Sequence, residues 1–302
     1  MSKQRSALRN RVEYAAYRLT RGLTGVLSPS ALDHVGNVIG DLFSMTGGRR
    51  RRIIDFNLSL AFPEKTETER RQLARQVTRH FARLALDAMR IQRLQPAELL
   101  AAVDISGWEH VERATALGRG VIFLTAHIGS WEVAALVIGL RVEGGLSVVN
   151  RPLDNPLLEV EVDRLRKLYG NRVFGKRNIV REMLRELKNN RAVGILIDQR
   201  VPEGQGVEVP FFGHPARTHP ILARLCRKTR APVVPLFVYC DAPGRYSLSI
   251  DEPVMVDAVD DGERDDVPLT ARFMAVIEEA IRRRPDQWLW YHDRWKQLRI
   301  RN

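Results

Sequence analysis

A histidine and a glutamate five residues apart, His127 and Glu132, stand in Thr-Ala-His-Ile-Gly-Ser-Trp-Glu just after the apolar run Val121 to Leu124. A carboxylate on one imidazole nitrogen fixes the tautomer and leaves the other nitrogen to take a proton from a hydroxyl, which is half of a nucleophilic triad. The other half is missing. Ser130 lacks the two-sided glycine setting of G-x-S-x-G, so the attacking group would be a hydroxyl of the substrate. Residues five apart on a regular helix point about 140° from each other, so pairing requires His127 in a loop and Glu132 in the helical turn that follows. The pattern is short, and a satisfied buried histidine beside a helix cap would produce it equally. Asp198 ends a second apolar run, Val193 to Ile197; there it could orient an arginine or an acceptor, or cap the next turn.

The elements that must position these groups change character along the chain. Residues 11 to 24, 31 to 45, the stretch through Ile53, Ile54 and Leu58 to Pro63, and 67 to 90 read as helices, with Ser28, Pro29 and Ser30 breaking the first from the second. From Gly120 onward short apolar runs alternate with helical segments. The runs are 121 to 124, 146 to 149, 192 to 197 and 232 to 238, with a later strand at 246 to 250. Helices are expected near 131 to 140, 157 to 168, 178 to 188, 219 to 228 and 270 to 284. The expected fold is α/β, a mostly parallel or mixed central sheet wrapped by helices behind a helical N-terminal region, with functional residues at the carboxyl ends of the strands. We read 1–302 as a single domain, 1–52 as a basic membrane-associating region and 120–302 as the catalytic α/β core.

Charge narrows the partners. The chain of 302 residues carries a net +12, from 48 basic against 36 acidic side chains, a field that suits anionic lipid, nucleic acid or an acidic carrier protein. No aromatic-interleaved RNA motif, zinc finger, basic zipper, Walker loop or G-x-G-x-x-G is present, so a nucleic-acid or scaffold protein is a remote reading. Cys226 and Cys240 sit in apolar settings without the spacing of a disulfide framework or a zinc site, and no metal is expected. Residues 1–30 mix Lys3, Arg5, Arg9, Arg11, Arg18 and Arg21 with Tyr14, Tyr17, Leu19, Leu23, Val26 and Leu27, as an interfacial helix or an ordinary amphipathic one would. Arg18 and Arg21 interrupt one candidate span and Asp33 and His34 another, so any membrane contact should be monotopic.

Further motifs join the first. Asn57-Leu58, Phe62-Pro63-Glu64, Arg151-Pro152-Leu153-Asp154-Asn155-Pro156, Asp198-Gln199, Phe211-Phe212-Gly213 with Pro215-Ala216, and Trp288-Leu289-Trp290-Tyr291-His292-Asp293-Arg294-Trp295 accompany Thr125 to Glu132 over nearly the whole chain. Together they resemble the late lipid A acyltransferases, within the lysophospholipid acyltransferase superfamily. The resemblance implies a glycerolipid-acyltransferase-like fold and a His-x4-Glu dyad at His127 and Glu132. It implies direct transfer of an acyl group from an acyl-carrier-protein thioester to a glycolipid hydroxyl at the cytoplasmic face of the inner membrane, with no cofactor. An acyl-CoA donor, and a phosphatidylinositol mannoside or glycerophospholipid acceptor, are the alternatives.

The resemblance also suggests substrate contacts at Arg151, Asn155 and Arg164, with Arg166 in reserve; a solvated basic helix would equally account for Arg164. Phe211, Phe212 and Gly213 suit the lining of an acyl channel or a turn in the core. Trp288, Trp290 and Trp295 suit either an interface or packing against the main domain.

Overall fold

A computed structural model describes residues 6–149, 153–175, 178–255 and 265–301. Four helices come first: α1 (Ala7–Leu23), α2 (Pro29–Met45), α3 (Arg49–Ala61) and α4 (Glu67–Ile91). Then follow α5 (Pro96–Ala101), β1 (Val103–Ser106), α6 (Trp108–Thr115), β2 (Val121–Thr125), α7 (Trp131–Arg141), β3 (Leu146–Val149), α8 (Pro156–Arg166) and β4 (Arg172–Phe174). The remainder is α9 (Ile179–Lys188), β5 (Ala192–Leu196), β6 (Val207–Phe211), β7 (His214–Thr218), α10 (Ile221–Thr229), β8 (Val233–Ala242), β9 (Arg245–Ile250), α11 (Val267–Arg283) and α12 (Lys296–Arg301).

Seven strands form one sheet in the order β1-β9-β8-β2-β5-β3-β4, and β6 and β7 make a separate antiparallel hairpin. Every pairing in the large sheet is parallel except β8 with β9. The mixed sheet expected from the alternating pattern is therefore present, with β9 and β1 running against the other five strands. It begins earlier than expected: β1 lies upstream of residue 120, and four residues with one buried side chain gave little apolar signal.

Strand β2 explains why its sequence is apolar throughout. Val121 and Phe123 pack with Val133 and Val137 of α7 on one face, while Ile122 and Leu124 join Leu187, Leu222 and Ile277 on the other. A strand covered on both sides has no solvent face to make polar. Helix α2 lies against α4 closely enough that a Cβ at Gly40 would meet the Arg79 backbone at 2.4 Å, so glycine sets the spacing there. Asn57 of α3 is fully buried and donates to the carbonyls of Trp290 (2.9 Å) and His292 (2.8 Å), tying the helical region to the C-terminal segment. Among the described residues no helix is long and apolar enough to cross a membrane.

Candidate active site at the carboxyl end of the sheet

Strands β2 and β5 are parallel neighbours with Thr125 opposite Leu196. Two residues further along each chain stand His127 and Asp198, so the register brings them to the same level on strands about 4.8 Å apart. The ring follows: His127 Nδ1 lies 2.9 Å from Asp198 Oδ1, and the His127 backbone N–H donates to Oδ2 at 3.0 Å. The indole of Trp288 donates to the same Oδ2 at 2.9 Å. Burial by itself would raise the Asp198 carboxyl, but the charge and hydrogen bonds of His127, with the indole, hold it down at about 2. Asp198 is 1% exposed and the His127 side chain 23%, so a buried anion sits behind an imidazole that reaches the surface.

The loop carrying His127 is pinned on two sides. Gly129 N–H donates to the Gln287 carbonyl (3.0 Å), Ser130 N–H to Val238 (3.2 Å), and Leu289 N–H to the His127 carbonyl (3.1 Å). Gly129 has φ +53°, and a Cβ there would lie 1.7 Å from the Val238 carbonyl oxygen, so only glycine lets the loop lie this close to β8. Trp131 packs edge-on to the imidazole with centroids 5.2 Å apart, fixing the ring from its open side. With Nδ1–H given to Asp198, Nε2 is the basic nitrogen; Gln199 Nε2 approaches it at 3.2 Å.

Glu132 stands in the first turn of α7 as expected, but its carboxylate faces Arg166. The guanidinium of Arg166 reaches it through Nε (3.0 Å) and Nη2 (2.8 Å), and the Trp131 indole donates to it at 3.3 Å. The carboxylate on the ring is Asp198, 71 residues away, rather than the one five residues away. The physical reason is direction: a side chain in the first helical turn leaves toward α8, whereas a neighbouring parallel strand delivers its carboxylate alongside the histidine.

The other expected site residues separate. Arg164 is 60% exposed and pairs with Glu161 (3.1 Å), away from His127. Asn155 is buried, caps α8 through Leu157 N–H (3.1 Å) and donates to the Asn10 carbonyl (3.1 Å) and Glu13 (3.0 Å) of α1, a set of contacts that docks two helices. Arg151 lies outside the described residues. Phe211 and Phe212 are buried and packed among Trp288, Trp290, Trp295 and Phe62, with Gly213 in the hairpin turn. The three tryptophans are buried in the same block, which places Trp288 behind Asp198.

Sequence reasoning missed Trp288 as a donor to Asp198, and His292, whose Nε2 accepts the Arg200 N–H at 2.8 Å. Burial lowers His292 to about 4, consistent with a neutral ring accepting that bond. The alternating tryptophans were a visible signal, but one that fits packing as well as a site.

The comparisons with known proteins agree in one direction. The chain is 30% identical over 254 residues to the lipid A biosynthesis lauroyltransferase of Escherichia coli (strain K12), covering 82% of this chain and 79% of that one. It is 27% identical over 250 residues to the lipid A biosynthesis myristoyltransferase of the same organism, covering 80% and 73%. The phosphatidylinositol mannoside acyltransferase of Mycobacterium tuberculosis (strain CDC 1551 / Oshkosh) is 26% identical over 170 residues, covering 54% and 53%. Residues 2–297 match the family described as bacterial lipid A biosynthesis acyltransferase. The chain belongs to the bacterial lipid A biosynthesis acyltransferase family, and it is an O-acyltransferase.

Proposed function

We propose that the chain transfers a fatty acyl group from an acyl-carrier-protein thioester directly to a hydroxyl of a lipid A precursor, with His127 as general base and Asp198 as its positioning carboxylate. The observation that carries this reading is the His127–Asp198 pair at the carboxyl end of a parallel sheet, which leaves Nε2 as the basic nitrogen. In the reaction the acceptor oxygen attacks the thioester carbonyl as Nε2 takes its proton. The tetrahedral intermediate then collapses, the C–S bond breaks, and the imidazolium returns the proton to the leaving sulfur. Asp198 stabilises the transient imidazolium, and the step needs no further co-reactant. Glu132 acts through Arg166, holding the start of α7 against α8 so that the His127 loop keeps its place.

The electrostatics and surface fit such substrates. A net charge of +12 attracts both an acidic carrier protein and anionic lipid. Of the large exposed apolar side chains, twelve fall between Leu8 and Met45, and Val35, Val38, Ile39 and Leu42 form one stripe on α2. We assign residues 1–52 to peripheral attachment at the cytoplasmic face of the inner membrane, as part of one catalytic unit. The match to a phosphatidylinositol mannoside acyltransferase favours a second reading, in which the same site serves acyl-CoA and a phosphatidylinositol mannoside or glycerophospholipid.

Purified enzyme supplied with each donor and a panel of acceptors separates the two by mass spectrometry of the lipid products. Rapid-quench mass spectrometry of the intact protein with donor alone tests the direct step. No acyl group should become attached, and a kinetically competent acyl-enzyme would overturn it.

A further inference from the structure

A cavity of about 320 Å³ opens beside the site, lined by Arg49, Arg50 and Ile53 of α3 and by Leu289, Tyr291 and His292. Its C-terminal wall is the segment that supports the catalytic pair. Leu289 N–H holds the His127 carbonyl, and His292 accepts the N–H of Arg200, two residues beyond Asp198. The arginine run at the start of α3 divides by partner. Arg51 is taken by Asp55 (2.9 Å) and Ser44 (2.6 Å), whereas Arg49 and Arg50 are exposed and make no ion pair among the described residues. No carboxylate is among the described residues lining the cavity. Tyr291 is held in the wall by edge contacts from Phe43 and Phe81, so the apolar side is fixed.

We propose that this cavity is a phosphate-ester subsite of the acyltransferase, with Arg49 and Arg50 as the groups that bind the anion. The inference rests on the catalytic reading above and extends it to a second part of the substrate. Guanidinium forks match phosphate oxygens in pairs, and the volume lies at the lower end of the range for small-ligand pockets. Isoleucine, leucine and tyrosine beside the two arginines suit an anionic head joined to an apolar body. Two substrates carry a phosphate ester: a phosphorylated glycolipid acceptor, and the pantetheine arm of the donor.

The test uses the full chain and its Arg49→Gln/Arg50→Gln variant. Equilibrium binding to detergent micelles is measured with a phosphorylated glucosamine-disaccharide lipid and with the same lipid after enzymatic dephosphorylation. Wild type should prefer the phosphorylated lipid by about 10- to 100-fold, the value of hydrogen bonds to charged groups. The double Gln variant should lose that preference, and Arg49→Lys/Arg50→Lys, which keeps the charges without the forks, should keep only part of it. If the subsite serves the donor, lipid discrimination persists and KM for the acyl-carrier-protein or coenzyme A thioester rises by a similar factor. A double Gln variant with wild-type lipid discrimination and wild-type donor KM would overturn the proposal. Because lipid binding needs no turnover, His127→Ala should retain the phosphate preference; its loss of transfer bears on the base alone.

Discussion

The carboxyl end of the sheet and the α1–α2 pair treat their side chains in opposite ways. Around His127 the ring, the loop amides and the Asp198 carboxylate are hydrogen-bonded, and the aromatic residues behind Asp198 are withdrawn from solvent. On α1 and α2 large apolar side chains stay exposed, on α1 beside arginines, and α1 buries no residue at all. A reacting group must be held to within a fraction of an ångström, which a satisfied network in a low-dielectric setting does well. A surface that meets a bilayer needs area and charge rather than register. The lesson is that precision and exposure are separated in this molecule, and each can be attacked without the other.

The largest effect should come from His127→Ala, which removes the proposed base and leaves the sheet intact: turnover should fall by about 10² to 10⁴-fold while donor affinity is kept. Steady-state kinetics check it, and near wild-type turnover would remove His127 from the base role. Asp198→Asn keeps the size of the side chain but loses its charge, and should lower turnover by up to about 10⁴-fold while changing the pH profile of the rate. If Glu132→Gln proves far more damaging to turnover than Asp198→Asn, the positioning carboxylate has been misassigned.

Acid should destabilise the site end of the molecule through its buried histidines first and its carboxylate last. Burial lowers His80 to about 3 and His292 to about 4, both below the ordinary histidine value near 6.5. Below that value the unfolded chain takes up protons that these folded rings refuse, so stability is lost as pH falls. Between pH 6.5 and 4.5 each costs roughly 2 to 3 kcal/mol. Asp198, held at about 2, contributes stability that is present above its ordinary carboxylate range and is lost only as pH falls from there through about 2. Urea titrations across pH read the slope. A profile flat from pH 7 to 4.5 would contradict the buried neutral histidines, and replacing them should flatten it.

Glu132→Gln breaks a half-buried ion pair, so it should cost about 1 to 3 kcal/mol of stability and reduce turnover less than Asp198→Asn. The smallest effect belongs to the exposed region. Val38→Glu/Leu42→Glu, at positions 47% and 61% exposed, should weaken binding to anionic vesicles by about 10-fold and leave turnover of detergent-dispersed acceptor unchanged. Equal vesicle binding by the double variant and wild type in a flotation assay would place the membrane surface elsewhere.

The sequence by itself determined the strands whose two faces are both buried, the helical first hundred residues, and His127 at a strand end. Those properties are written in local periodicity and in the glycine that follows. It also marked Asp198 as a strand-end carboxylate, without saying for what. Only the tertiary structure decided that Asp198 rather than Glu132 holds the ring, because the adjacency of β2 and β5 joins residues 71 apart and leaves no trace in spacing. The same holds for Arg166, which meets Glu132 from another helix, and for Trp288, whose indole could have faced solvent or the core until Phe211 and Trp290 enclosed it. Local sequence fixes which way a side chain leaves its own element; what it meets there depends on which elements become neighbours, and that is set by burying the whole apolar surface at once.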